Sequence, residues 1–292
     1  MFNSKIIFLF LLSLVCIYSC KTIEKKSEVP NSGFYLAIHE EAISPDLEKI
    51  TGIIPSQNKD YLWVQENKGN NPFIYLYNTK TGKQEKKVFI RGTSIAWEDL
   101  AKSYNDKDQM SIHVADIGDP HLSRKDIQVY SFKENDIEDD FVAPEVKYFT
   151  YPNGPRNASA MIVNQTTEEY YIFTLSKEFT EVYAISIHER AGQLKQIGVL
   201  PFGNVTNVDI SFDNSRLLIV KEGDLSMWNL ENKDKLISNL LNKKPDYIHV
   251  KEASEYLGSC FKDEGKFYVL DRKKPDQKPV ITTYEGGGVT SL

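Results

Sequence analysis

The sequence predicts an all-β fold made from a repeated four-stranded unit, and three observations carry that prediction. Segments rich in β-branched and aromatic residues recur, among them Tyr61-Leu62-Trp63-Val64, Phe73 to Tyr77, Ile127 to Phe132, Tyr170 to Leu175, Val182 to Ile187 and Phe267 to Leu270. Turn formers separate them, as in Asn78-Thr79-Lys80-Thr81-Gly82, Asp213-Asn214-Ser215 and Asp263-Glu264-Gly265. The segments also fall into groups whose first strands start roughly 50 residues apart, a period that marks repeat architectures.

Each group opens on a short strand: Ile50 to Ile54, Glu98 to Ala101, Ser159 to Val163, Val208 to Phe212 and Gly258 to Phe261, with one longer step after Glu98. A repeat of ~40–50 residues holding four strands is the signature of a β-propeller blade. Five blades are counted, with six as the alternative, in one domain spanning residues 34–292. Phe34 to Ile38 is expected to add the outer strand of the last blade, closing the ring from both ends and removing the open sheet edges that invite aggregation. A pair of β-sandwiches is the competing fold, but sandwiches do not require so regular a repeat. The best helical segment, Lys235 to Leu241, is short and reads as an insertion on a loop.

The N-terminal residues have a different character. Lys5 precedes an apolar run from Ile6 to Ile17, shorter than the ~20 apolar residues a membrane-spanning helix needs. The run ends in Ile17-Tyr18-Ser19-Cys20, which resembles the bacterial lipobox, although Tyr18 is larger than the usual residue there. The resemblance implies that residues 1–19 are a lipoprotein signal peptide and that Cys20 carries the lipid. It also implies a bacterial cell-envelope location, with the protein tethered to a membrane, the outer membrane being expected. Two or more acyl chains anchor stably where one does not. The alternative is ordinary secretion with Cys20 unmodified. Residues 20–33 are polar after Cys20 and end in turn formers, as expected of a flexible tether.

Among 292 residues, 41% are hydrophobic and 12% aromatic, enough for a substantial core. The formal charge is −6, and removing residues 1–19 takes away Lys5 and no acid, leaving −7. Such an acidic surface argues against nucleic acid as a partner, because phosphate binding relies on clustered Lys and Arg. Of the three cysteines, Cys16 leaves with the signal and Cys20 is acylated, so Cys260 has no partner for a disulfide. Its place in an apolar strand pattern suits a buried small hydrophobe.

Several stretches resemble a broad group of secreted bacterial propellers of the YVTN, NHL and SdiA-regulated types. They are Ile50 to Ile53 with Tyr61 to Val64 and Asn67-Lys68-Gly69; Trp97-Glu98-Asp99-Leu100-Ala101 with Ala115-Asp116-Ile117-Gly118-Asp119; Tyr151-Pro152-Asn153-Gly154-Pro155-Arg156-Asn157-Ala158; and Val205 to Ser211. The resemblance implies a propeller and no particular reaction. Where the group carries acids near its inner strands, this chain keeps Glu98, Asp99 and Asp209 but has Lys49, Ser159, Leu257 and Asn67. If the group's ring binds a cation in its channel, much of the ~6–8-oxygen ligand set Ca²⁺ wants is therefore missing.

The candidate ligand or metal cluster is Glu98, Asp99, Asp116, Asp119 and Asp209. Two readings stay open for these acids. They either gather at one mouth to hold Ca²⁺ or act as a general base, or they bond backbone N–H groups in turns and between blades. The histidines His39, His113, His121, His188 and His249 show no metal-ligand spacing, and no nucleophile elbow, phosphate loop or dinucleotide fingerprint appears. His113 lies inside a strand and either faces a channel or packs. No catalytic residue is assigned and Ca²⁺ is the one cofactor considered. The expected function is a membrane-anchored binding or scaffold module for a protein, peptide or glycan. The alternative is a metal-assisted hydrolase of phosphoesterase or lactonase type at the propeller mouth.

Overall fold

The computed structural model describes residues 35–286 except 46, 68, 70, 222 and 249–254. The signal peptide, Cys16, Cys20, the tether, Phe34, His249 and Gly287-Gly288 thus lie outside the described residues. The chain opens with β1 (Tyr35–Ala42). The first blade is β2 (Ile50–Pro55), β3 (Tyr61–Glu66), β4 (Phe73–Asn78) and β5 (Gln84–Ile90). The second is β6 (Trp97–Tyr104), β7 (Met110–Asp116), β8 (Ile127–Lys133) and, after the two-residue β9 (Phe141–Val142), β10 (Glu145–Thr150). The third is β11 (Ala158–Asn164), β12 (Glu169–Thr174), β13 (Thr180–Ser186) and, after β14 (Ala191–Gln193), β15 (Lys195–Leu200). The fourth is β16 (Val205–Ile210), β17 (Arg216–Lys221), β18 (Asp224–Asn229) and, after helix α1 (Leu236–Asn242), β19 (Asp246–Ile248). The fifth is β20 (Glu255–Phe261), β21 (Lys266–Arg272) and β22 (Val280–Gly286), completed by β1.

The fold is therefore a β-propeller of five four-stranded blades. All five expected opening strands are the innermost strands of their blades. β1 pairs antiparallel with β22, so strands from far apart in the chain complete one sheet and close the ring. The five inner strands contact one another in the cycle β2, β6, β11, β16, β20 and back to β2. Each slips register near its start, at Ile50/Gly52, Trp97/Asp99, Ala158/Ala160, Val205/Asn207 and Tyr256/Gly258. A bulge repeated at one position bends every inner strand alike, as a closed ring of small radius requires. Gly52 is needed for a close approach of two inner strands: a Cβ there would lie 2.5 Å from the Leu100 backbone nitrogen of the next blade.

Five apolar clusters fill the interfaces between successive blades, and Trp63, Trp97 and Trp228 pack in them. Cys260 is buried and free in the cluster between the fifth and first blades. The connection between third and fourth strands also covers the outer edge of the preceding blade. β9 pairs parallel with β5, β14 pairs parallel with β10, α1 packs on β15, and the Gly82-Lys83 turn bonds Ser44 just beyond β1. Edge strands left bare would offer unpaired backbone groups to other chains. No helix among the described residues is long and apolar enough to cross a membrane.

Candidate functional site

The five acids separate into two sets. Asp99 and Asp209 sit in the channel, fully buried, and join blades. Asp99 accepts from the N–H groups of Leu100 and Met161, both at 2.9 Å, the second belonging to the third blade. Asp209 accepts the Phe261 N–H of the fifth blade at 2.7 Å. Neighbouring positions do the same: Asn207 Oδ1 accepts from the Ser259 N–H at 2.8 Å, Ser159 Oγ donates to the Val205 carbonyl at 2.6 Å, and Thr51 Oγ1 donates to the Trp97 carbonyl at 3.0 Å.

Asp209 has a second partner that the sequence reading did not single out. Lys102 Nζ lies 2.5 and 2.7 Å from its two oxygens. Lys102 is on β6 and Asp209 on β16, inner strands with β11 between them, so this buried ion pair spans the channel. Burial depresses the ammonium, but the facing carboxylate outweighs it and raises the Lys102 pKa. Burial pushes the Asp99 carboxyl well up, against two backbone donors that lower it. The channel is thus crossed by groups whose hydrogen-bonding capacity is spent within the protein.

Glu98, Asp116 and Asp119 lie at the mouth where the inner strands begin. Asp116 accepts from the Ile95 and Ala96 N–H groups at 3.1 and 2.9 Å and from Arg124 Nη1 at 2.7 Å. Asp119 accepts from the N–H groups of Ser123 and Arg124 at 3.0 and 2.8 Å. Both hold backbone in place, the second of the two roles open to them. Glu98 differs. It accepts from Asn67 Nδ2 at 2.8 Å, and burial, helped by the charge of Asp116, pushes its pKa up to about 7. The Lys49 ammonium and the Asn67 amide pull the other way. Gly118 leaves room for it, since a Cβ there would lie 2.4 Å from Glu98 Oε1. Among the described residues no three His, Cys, Asp or Glu side chains are arranged to hold a metal ion.

Beside these acids, between the second and third blades, is a pocket of about 280 Å³. Two stretches that the sequence marked out meet there, the Asp116–Asp119 turn and the Tyr151–Ala158 segment, tied by a 2.7 Å bond from the Asp119 N–H to Asn157 Oδ1. Arg124 gives Nη1 to Asp116 and to the Gly118 carbonyl at 3.0 Å, and Nε to the Asp126 carbonyl at 3.1 Å. Its Nη2 is buried with no hydrogen-bond partner among the described residues, and so is the Tyr151 hydroxyl. Arg156, on the same wall, is held by Glu181 at 2.6 Å. Arg124 was not read as a site residue, because nothing local in Ser123-Arg124-Lys125 shows that the chain folds it under the mouth.

A second polar pocket, about 370 Å³, opens between the same two blades at the opposite face. His113 packs there and not in the channel. Its Nε2 lies 2.8 Å from Ser103 Oγ, and its Nδ1 lies 2.8 Å from Ser131 Oγ and 2.9 Å from the Tyr170 hydroxyl. Burial, then the Lys147 ammonium, lowers its pKa to about 3, so the ring is neutral across the physiological range. A base that weak does little to activate Ser103.

No family model and no curated relative matches the chain. Similarity to solved structures is broad, with 603 chains matching, so it selects an architecture and not an activity. One is the PQQ-bound form of aldose sugar dehydrogenase from Streptomyces coelicolor, 10% identical, covering 88% of this chain and 99% of that one with a TM-score of 0.52. Another is Kuenenia stuttgartiensis hydrazine synthase, 13% identical over 77% of this chain and 56% of that one, with a TM-score of 0.42, too low to carry an argument. The first likeness supports the propeller fold alone.

Proposed function

We propose that this chain is a lipid-anchored propeller of the bacterial envelope that works as a binding module for a protein, peptide or glycan, akin to secreted propellers of the YVTN, NHL and SdiA-regulated types. The observation that carries the binding role is the use made of the acids. Asp99, Asp116, Asp119 and Asp209 direct their oxygens at backbone N–H groups, Arg124 and Lys102, and the channel is crossed by an ion pair. Such a ring is a rigid frame for loops at its mouths. The anchor rests on the Ile17 to Cys20 pattern. The dehydrogenase neighbour is PQQ-bound, but at 10% identity the likeness carries neither cofactor nor substrate to this chain.

The second reading, a metal-assisted hydrolase, is favoured by one feature: Glu98 titrates near pH 7 beside Asp116, as a general base would. Thermal unfolding with chelator, with Ca²⁺ and with Mg²⁺ separates the two. A ligand at 100 times its Kd stabilises by ~2.7 kcal/mol, which moves the midpoint by several degrees. No shift is expected. A metal-dependent rise that Glu98→Gln abolishes would replace the binding module with the hydrolase.

A further inference from the structure

We infer that the channel mouth where the inner strands end binds a neutral glycan, with sugar rings stacked on Tyr61, Tyr104 and Phe212 and hydroxyls held by Lys262 and Asp60. The inference rests on the binding-module reading and narrows its ligand to one class. A pocket of about 380 Å³ opens there, within the ~300–1,000 Å³ range of small-ligand sites. Its walls come from the ends of three inner strands: Pro55 closes β2, Tyr104 closes β6 and Lys262 follows β20. The Gln57 side-chain amide donates to the Asp108 carbonyl at 2.7 Å and ties two of the rim loops together.

Aromatic rings gather at this mouth within reach of solvent. Tyr61 and Tyr104 line the pocket and are partly exposed, and Phe212 beside it is 53% exposed. Tyr104 and Phe212 meet edge to face, with ring centres 4.8 Å apart. They lie just beyond Lys102 and Asp209 on the same two chain segments, so the rings cross the end of the channel as the ion pair crosses its interior. A single exposed aromatic needs no explanation, but a cluster of them around a pocket on strand ends marks a contact surface.

The charges choose the ligand. Asp60, Asp108 and Asp263 share the lining with Lys59 and Lys262, and Lys80 binds Asp60 at 2.6 Å. Three acids thus meet three ammoniums, and no surplus of either sign remains to hold an anion or a cation. Asp60 also holds the Lys262 ammonium at 3.3 Å, and that ammonium lies 5.1 Å from the centre of the buried Tyr268 ring beneath it. A hydroxyl donates to a carboxylate and accepts from an ammonium, so interleaved charges suit a ligand rich in hydroxyls. A pyranose supplies them along its edge, and its face of weakly positive C–H groups packs on the negative face of an aromatic ring.

Calorimetry on the full-length protein in a sugar-free detergent tests this, with maltohexaose, cellohexaose and chitohexaose as neutral probes and hexagalacturonate as the acidic control. At least one neutral hexasaccharide is expected to bind saturably and at least tenfold more tightly than hexagalacturonate. Phe212→Ala and Tyr61→Leu should each weaken it at least fivefold, while Phe212→Tyr, which keeps the ring, should stay within about twofold. Phe212→Ala should move the melting temperature by no more than about 2 °C, because the ring is more than half exposed. Absence of binding by all three neutral probes, hexagalacturonate within tenfold of the best of them, or wild-type affinity in Phe212→Ala or Tyr61→Leu would overturn the inference. A tryptic digest of casein serves as the peptide arm: peptides retained by the wild type and lost in Phe212→Ala, with no neutral glycan bound, would reassign the mouth to a peptide. None of these results touches the metal series on Glu98 at the opposite mouth, so the binding-module reading stands or falls separately.

Discussion

Glu98 is the side chain through which pH acts most directly. Its pKa of about 7 in the fold stands above the ordinary 4.5, so the native state keeps a proton that the unfolded chain releases. Stability from this group is fully present below about pH 4.5 and is lost as pH rises to about 7, flat beyond. The loss is on the order of 3 kcal/mol. Urea midpoints at pH 5 and pH 8 should differ in that direction, and Glu98→Gln should reduce the difference; an unchanged difference would refute the assignment. Asp271, pushed to about 6 by burial, acts in the same sense, while His113, lowered from 6.5 to about 3, acts in the opposite sense below about pH 6.5; both remain in both proteins, so the comparison with Glu98→Gln isolates Glu98. Lys102 makes the complementary case. Lys102→Met leaves the Asp209 charge buried without its cation and should cost ~3–5 kcal/mol. Adding Asp209→Asn removes the charge but keeps an acceptor for the Phe261 N–H, so the double variant should be more stable than Lys102→Met alone. Denaturant melts of the three proteins check this.

At the scale of elements, the inner strands were legible and their lacing was not. The sequence marked all five because each opens a group of strands that turn signals separate, at a spacing of roughly 50 residues. Their true extents are set by pairing, which is why the expected Glu98 to Ala101 grows to Trp97–Tyr104 against Met110–Asp116. β9 and β14 went unread since two or three residues carry no periodicity; they are strands only because the neighbouring blade's edge bonds them. The α1 segment was read as a helix on a loop, and its burial of Leu236 and Leu240 against the third blade came from packing. Inner strands this close constrain single positions. Gly52→Ala should destabilise by ~1–3 kcal/mol, because the obstructing atom is backbone and β2 must retreat from β6. Gly265→Ala, whose Cβ would lie 3.8 Å from Asp263 Oδ1, serves as the surface control and should stay within about 0.5 kcal/mol.

For the whole molecule, closure is the organising fact. Five interblade clusters share the apolar burial, so no single interface is the core, and β1 on β22 makes the first and last described strands interdependent. The proposed anchor joins this disc to a membrane through residues 20–33. Cys20→Ala should release the protein from membranes or stall its processing, and incorporation of a fatty-acid analogue should vanish. Persistent labelling of the variant would remove the lipoprotein reading.

Periodicity, turn chemistry and strand composition predicted, without coordinates, that the chain is all-β, that it repeats, and that five blades, with six as the alternative, form a ring closed by strands from both ends; the structure decided on five. Those properties are local: alternation, Gly and Asp at turns, and spacing survive in the order of residues. The sequence also marked the Asp116–Asp119 and Tyr151–Ala158 stretches as distinctive, but not that they meet. Only the tertiary structure decided that Asp99 and Asp209 hold blades together while Glu98 titrates at a mouth, that Lys102 crosses the channel, and that Arg124 and Tyr151 line one pocket. Burial, charge pairing and hydrogen-bond satisfaction depend on which blades lie side by side, and a carboxylate read along the chain looks the same whether its oxygens are spent or free.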